Sequence, residues 1–169
     1  MSETATCRER LAPFCAGNGL DIGAGGDPIV PWAICLDRAE ADGRRAHVGT
    51  SPTQLVGDAA CLRWFRDGEL DFVYSSHCLE DFKDTAAVLR EWQRVLRHGG
   101  RLVLFLPDQA AYLADCAAKG TLPNQAHIHA EFSLAFVKAR LPSGLRVIHE
   151  QWPVPNNPYS FDLVCERDL

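Results

Sequence analysis

The feature that most constrains the fold is a change of hydrophobic period between residues 69 and 107. The segment "ELDFVYSS" is a short β-prone run, and the segment "LEDFKDTAAVLREWQRVLRHGG" after it has the three- and four-residue spacing of an amphipathic helix, which Gly99 and Gly100 are predicted to end. The apolar positions of this helix are Val88, Leu89, Trp92, Val95 and Leu96. The next segment, "RLVLFLP", is typical of a parallel strand buried on both faces. A strand, a helix and a strand in this order predict a βαβ unit, and therefore an α/β fold.

The rest of the chain predicts one sheet. Strands are expected at about residues 19–23, 33–36 and 54–56, and helices in "DQAAYLADCAAK" and around "HAEFSLAFVKARL". The last two extended segments, "RVIHEQW" and "YSFDLVCERDL", are joined by the proline-rich "PVPNNP", which leaves no room for a crossover helix. We therefore predict a mostly parallel seven-stranded sheet with a C-terminal antiparallel hairpin and helices on both faces. Residues 1–18 are an N-terminal segment in this prediction, and residues 19–169 are the domain.

Charge and cysteine usage narrow the functional classes. The chain has 169 residues, a net charge of -5 and no run of Lys or Arg, so no nucleic-acid partner is expected. No window approaches the roughly 20 apolar residues that span a bilayer, and "MSETATCRER" lacks the apolar middle of a signal peptide. The seven cysteines are scattered without a C-x-x-C pair, which indicates reduced thiols. A cytoplasmic protein with no membrane partner is expected.

The stretch "GLDIGAGGDPIVPWAICLD", from Gly19 to Asp37, places a glycine turn after one short strand and an acidic residue at the end of the next. A dinucleotide site needs a helix directly after the glycines, whose N-terminal amides hold the pyrophosphate. Only the residues from Gly26 to Leu36 separate the turn from the acidic residue, and the last four or so of these belong to the second strand. A crossover that includes a helix takes at least about 10 to 12 residues. Pro28 and Pro31 shorten the span available to a helix further. The spacing therefore disfavours NAD and FAD.

Four segments in order carry a family resemblance: "LDIGAGGDP", "LVGDAACLRWF", "DFVYSSHCLEDFKDTAAVLREW" and "RVLRHGGRLVLFLPD". With them the chain resembles the class I S-adenosylmethionine-dependent methyltransferases, in particular their small-molecule, type 11 branch. The sequence departs from the family pattern at three points. Gly26-Asp27 stands where a third glycine is usual, "LED" replaces "LEH", and His98-Gly99-Gly100 replaces "PGG".

The resemblance implies S-adenosyl-L-methionine as cofactor, with S-adenosyl-L-homocysteine as product. Asp37 would accept from both ribose hydroxyls, Asp58 would lie at the adenine amine, the Ala59 amide would donate to the ring, and Asp21 would face the methionine amino group. Asp37 and Asp58 could instead be ordinary turn or cap residues. The implied cofactor-binding residues are Asp21, Gly23, Ala24, Gly25, Asp37, Arg38, Asp58, Ala59, Ser75, Ser76 and His77.

Methyl transfer from a sulfonium is an in-line displacement, for which alignment and water exclusion supply much of the rate. The acceptor would be an O, N or C atom of a small or medium-sized metabolite. His77, His127 and His129 are the candidates for a general base or for residues on the acceptor side, although a surface loop or a helix cap would also explain the last two. No metal is expected, since no third ligand stands at a recognisable spacing from the "HIH" pair.

Only about 18 residues precede the first predicted strand, too few for the large helical cap that covers the acceptor in many relatives. The site would then admit a bulky or carrier-bound acceptor, or be closed by a second copy in a homodimer. Two alternatives stay open from the sequence. One is a methyltransferase-like scaffold or partner domain that binds cofactor poorly, and the other is an NAD(P)-dependent oxidoreductase.

Overall fold

A computed structural model describes residues 2–38 and 53–168 of the chain. A seven-stranded sheet within these residues has the spatial order β3-β2-β1-β4-β5-β7-β6. Neighbouring strands from β3 to β5 are parallel, and β7 is antiparallel to both β5 and β6. The strands are β1 (Gly19–Ile22), β2 (Ile34–Asp37), β3 (Leu55–Val56), β4 (Leu70–Ser76), β5 (Leu96–Pro107), β6 (Leu145–Gln151) and β7 (Ser160–Arg167). The predicted α/β class and the antiparallel C-terminal hairpin are confirmed.

Helices cover both faces of the sheet. On one face, α2 (Thr85–Val95) and α4 (Leu134–Lys138) pack against the sheet through side chains that include Trp92 and Val137. On the other face, α1 (Glu3–Leu11) buries Cys7. A further helix, α3 (Gln109–Lys119), follows β5. In the described ranges no helix combines the length and the apolar character that crossing a membrane requires.

The helix α2 ends earlier than the sequence predicts. Asp84 caps its start by accepting a hydrogen bond from the Ala87 amide at 2.9 Å. The helix stops at Val95 because Leu96 already pairs with β4, at Leu70. The prediction that Gly99 and Gly100 end the helix is wrong, since both lie inside β5, where the register with β4 shifts.

Two further helices differ from expectation. The segment "HAEFSLAFVKARL" forms only the five-residue α4, because the Ser133 hydroxyl caps the helix by accepting from the Phe136 amide at 3.1 Å. The N-terminal segment, for which no helix is predicted, forms α1, and the Ser2 hydroxyl accepts from the Ala5 amide at 3.1 Å. Both helix starts are therefore set by a single serine cap.

The connection from β1 to β2 contains turns and bends only, as its length and prolines predict. Gly23 directly follows β1, has a φ of 73° and donates its amide to the Leu36 carbonyl at 2.8 Å. The chain thus turns sharply at the carboxyl end of β1, and no helix forms between β1 and β2.

Candidate functional site

A cavity of about 410 Å³ lies at the carboxyl ends of β1, β2 and β4. Strand order reverses between β1 and β4, since β2 and β3 extend the sheet on one side and β5 on the other. Open α/β sheets bind their ligands at such a switch point. Six of the residues predicted to bind a cofactor line the cavity: Gly23, Asp37, Arg38, Asp58, Ala59 and His77. Side chains that were not predicted to bind the cofactor also line it, among them Cys78, Asp81 and Phe82.

Asp37 is the last residue of β2, and its side chain is largely buried at the cavity wall. One carboxylate oxygen accepts from the Gly25 amide at 3.3 Å, and the other accepts from the Arg38 amide at 2.9 Å. An ionised carboxylate has about four acceptor positions, and the described residues occupy two of them, which leaves about two available to a ligand. The hydrogen bond from the Gly25 amide thus helps to fix the orientation of the Asp37 carboxylate.

Asp58 and Ala59 form the cavity wall just beyond β3. The Asp58 carboxylate accepts from the Ala60 amide at 2.8 Å, so Asp58 is a turn residue and a lining residue at once. The Ala59 carbonyl accepts from the indole N–H of Trp92 at 2.9 Å. This bond from the buried face of α2 fixes the loop at the position where it borders the cavity.

Gly23 borders the cavity opposite Cys78. A Cβ placed on Gly23 would lie 3.2 Å from the Cβ of Cys78 and 3.3 Å from its sulfur, closer than ordinary van der Waals contact. Because Gly23 has no side chain and a positive φ, its backbone can pack directly against Cys78 at the cavity wall.

Asp21 is 1% exposed and is not one of the residues that line the cavity. Its carboxylate accepts from the Ile29 amide at 2.7 Å and so ties the β1–β2 connection to the sheet. Burial raises the pKa of Asp21 to about 7, although the bond from Ile29 acts in the opposite direction. Ala24 and Ser76 are also outside the lining, and the Ser75 hydroxyl donates to the Ile22 carbonyl at 3.1 Å.

His77 follows β4 with a φ of 47°, which is unusual for a side-chain-bearing residue. Its Nε2 lies 2.9 Å from the Ser160 hydroxyl, which donates to the Asn157 side-chain carbonyl at 3.0 Å. Asn157 in turn donates to Glu3 of α1 at 2.6 Å. Burial and the neighbouring His127 lower the pKa of His77 to about 3. The ring at the cavity is therefore a neutral imidazole, linked to α1 by hydrogen bonds.

Glu80 and His127 lie together beside the cavity. Glu80 belongs to a 3₁₀ turn (Leu79–Asp81) after β4, is 1% exposed, and burial raises its pKa to about 8. Its Oε1 is 3.5 Å from Nε2 of His127, whose pKa burial lowers. The sequence reasoning missed Glu80, although the acidic pair in "LED" directly after the fourth strand was a signal for it.

His129, the third candidate histidine, lies outside the cavity lining. Its Nε2 is 2.8 Å from the Phe82 carbonyl, and its ring packs against Phe132 and Phe136 with centroid separations of 5.8 and 5.1 Å. It adjoins the cavity through Phe82, which is one of the lining residues. His127 and His129 are close in sequence, yet their side chains meet different partners.

Comparisons with known proteins agree with the fold. The model of a family described as "Methyltransferase domain" matches residues 20–104. A search of curated proteins finds no match.

Several solved structures are similar to this chain. The PH0226 protein of Pyrococcus horikoshii OT3 superposes with a TM-score of 0.72 at 18% identity, over 97% of this chain and 89% of that one. An S-adenosylmethionine-dependent methyltransferase of Mesorhizobium loti superposes with a TM-score of 0.60 at 18% identity, over 89% and 90% of the two chains. A chain from a complex of the Haloferax volcanii Trm112 methyltransferase activator superposes with a TM-score of 0.65 at 15% identity, over 99% and 89%. At these identities the similarity is one of fold.

Proposed function

The chain belongs to the methyltransferase-domain family and has the class I methyltransferase fold, and from this premise we propose its reaction. The protein transfers a methyl group from S-adenosylmethionine to an O, N or C atom of a small or medium-sized metabolite. The domain that does this spans residues 19–169, with residues 1–18 as an N-terminal segment that adds Glu3 to the hydrogen bonds behind His77.

The observation that carries the proposal is the combination of Gly23, Asp37 and the Asp58-Ala59 loop around one cavity. A volume of about 410 Å³ lies in the range of about 300 to 1,000 Å³ typical of small-molecule sites. The available acceptor positions of Asp37 suit paired ribose hydroxyls, and the backbone of Gly23, which has no side chain, suits close approach of a ligand. No phosphate-binding helix follows the glycine turn, which suits a nucleoside without phosphate.

The cofactor, when bound, supplies a methyl group on a positively charged sulfonium. The acidic residues of the wall, Asp37, Asp58 and Asp81, favour such a cation electrostatically. Asp37 would orient the cofactor at its ribose, and Asp58 with Ala59 would hold the adenine end. Asp21, Ala24, Ser75 and Ser76 would then support the site from behind the cavity wall.

His77 is a positioning residue in this proposal. Its ring borders the cavity and is held by Ser160, so that it limits where an acceptor can lie. His127 and His129 lie beyond this wall, and their place on the acceptor side is part of the proposal. A bulky or carrier-bound acceptor, or closure of the site by a second copy of the chain in a homodimer, is part of the same proposal.

Calorimetric titration with S-adenosylhomocysteine tests the proposal. Asp37→Asn removes the charge from two ligand hydrogen bonds, each worth about 1.5 kcal/mol or more, so the Kd should rise by about 100-fold. Asp67→Asn, at an exposed aspartate outside the cavity, should leave the Kd unchanged. If the wild type does not bind S-adenosylhomocysteine, the scaffold alternative is supported. If Asp37→Asn binds it as tightly as the wild type does, the assignment of Asp37 is refuted. Binding of NAD or NADP instead would support the oxidoreductase alternative.

A further inference from the structure

Three side chains beside the cofactor cavity converge on one point. Glu80, Asp81 and His127 each offer a ligand atom, and these atoms lie within 4.8 Å of one another. Glu80 and His127 are almost fully buried, with side chains 1% and 4% exposed, whereas Asp81 lines the cavity. An ion could therefore reach the cluster from the cavity, past Asp81.

The carboxylate of Glu80 has no partner that would compensate its burial. Neither of its oxygens has a hydrogen bond to another residue within the part of the chain that the structure describes, and Oδ1 of Asp81 is also buried without a hydrogen bond. Ionised carboxylates are costly to bury without a hydrogen bond or a counter-charge. A cation bound between Glu80 and Asp81 would supply the counter-charge that their buried oxygens lack.

His127 is oriented as a metal ligand would be. Its Nδ1 lies 3.0 Å from the side-chain carbonyl of Gln109, which is buried at the start of α3. A carbonyl oxygen only accepts, so this contact assigns the ring proton to Nδ1. Nε2 then presents its lone pair toward Glu80, 3.5 Å away. Metal-binding histidines are held in the same way, with one nitrogen on a carbonyl or carboxylate and the other on the ion.

We propose that Glu80, Asp81 and His127 bind a divalent transition-metal ion at the edge of the cofactor cavity. A ligand set of two carboxylates and one imidazole suits Mn²⁺, Fe²⁺, Co²⁺ or Zn²⁺ better than Ca²⁺ or Mg²⁺, whose ligands are predominantly oxygen. Ligand atoms at about 2.0 to 2.2 Å from one ion are at most about 4.4 Å apart, so small rotations of the side chains close the site. Three protein ligands leave positions open for water or substrate.

The place of this site indicates the acceptor class, an inference that rests on the proposed function. An ion beside the methyl donor would bind a hydroxyl group of the acceptor and lower the pKa of that hydroxyl. The hydroxyl oxygen forms a bond to the methyl carbon while the carbon–sulfur bond breaks. The hydroxyl proton leaves to solvent, and the sulfonium becomes a neutral thioether. The substrate would thus be an alcohol or phenol, methylated on oxygen.

The metal-binding test uses the full chain after treatment with EDTA and desalting. Titration with Mn²⁺, followed by electron paramagnetic resonance, and with Zn²⁺, followed by calorimetry, should each show one ion per chain. Glu80→Gln keeps the shape of the side chain and removes its charge, so this variant should fold and lose at least about tenfold in affinity. Gln109→Ala should weaken binding by about 10- to 100-fold through the orientation of His127. His98→Gln, at an exposed histidine, is the matched control and should bind as the wild type does.

The outcomes separate this proposal from the proposed function. Absence of Mn²⁺ and Zn²⁺ binding to the wild type, or equal affinity in Glu80→Gln, overturns the metal site, while S-adenosylhomocysteine binding by the same samples would leave the methyltransferase proposal standing. Metal binding by the wild type without S-adenosylhomocysteine binding would support the metal site and would count against the methyltransferase proposal. With both ligands bound, a chelator that abolishes methylation of hydroxyl acceptors would support the substrate class, and full activity in the chelator would refute it.

Discussion

Asp21 should make the protein less stable as the pH rises from about 4 to about 7. The carboxyl group is 1% exposed, and burial raises its pKa to about 7 in the folded protein. In the unfolded chain the pKa of an aspartate is about 3.9. The folded state therefore binds the Asp21 proton more tightly than the unfolded chain does. The stability that this proton contributes is complete below about pH 4 and is lost as the pH rises through about 7.

The size of this effect follows from the two pKa values. A difference of about 3 pH units at 1.36 kcal/mol per unit gives about 4 kcal/mol between pH 4 and pH 7. Asp21→Asn keeps an oxygen that can accept from the Ile29 amide and removes the titrating group. The variant should therefore gain stability relative to the wild type by about 1.4 kcal/mol per pH unit over this interval, and the gain should level off above about pH 7.

Urea unfolding at pH 4.5, 5.5, 6.5 and 7.5, followed by circular dichroism, measures this difference. The difference between variant and wild type isolates Asp21 from the other groups that titrate in the same range, such as Glu80. Asp67→Asn, which removes a carboxyl group at the surface, is the control for the chemical change. A difference between Asp21→Asn and wild type that is flat with pH would refute the reasoning.

Two further predictions concern the cavity wall. Trp92→Phe removes the N–H that donates to the Ala59 carbonyl at 2.9 Å. The variant should lower the free energy of unfolding, measured in urea, by about 2 kcal/mol. A loss below about 0.5 kcal/mol would mean that this hydrogen bond does not stabilise the Asp58-Ala59 loop. Gly23→Ala should cost about 1 to 2 kcal/mol, because the residue has a φ of 73° and its Cβ would meet Cys78 at 3.2 Å, and it should also weaken S-adenosylhomocysteine binding in calorimetry. Gly120→Ala is the control, since Gly120 has a φ of 65° and a Cβ added there would have nothing within 4 Å. Equal effects of the two variants on S-adenosylhomocysteine binding would contradict a role of Gly23 in cofactor binding.

Local pattern predicted the parts of the fold that depend on neighbours in sequence. The three- and four-residue spacing of Val88, Leu89 and Trp92 identified α2, because these positions fall on one face of any helix. The short, proline-containing connection after Gly23 excluded a phosphate-binding helix by length alone. Asp37 and Asp58 follow predicted strands, and parallel strands bring their carboxyl ends to one edge of the sheet, but their assignment to a cofactor site came from the family resemblance.

Features that depend on long-range contacts could not be predicted in this way. The end of α2 at Val95 is decided by the pairing of Leu96 with Leu70 in β4, which no local signal encodes. Asp21 was predicted to face the cofactor, but its bond to Ile29 depends on how the β1–β2 connection folds back.

The sequence by itself determined the α/β class and the order of the strands along the chain, since both follow from periodicity and spacing, whereas the roles of Asp37 and Asp58 came from the family resemblance. Tertiary structure alone decided that His127 approaches Glu80 to 3.5 Å across 47 positions of sequence, and that both are buried. The physical reason is that hydrophobic periodicity records which face of an element is buried, whereas the contacts of a buried polar side chain depend on the element that packs against that face.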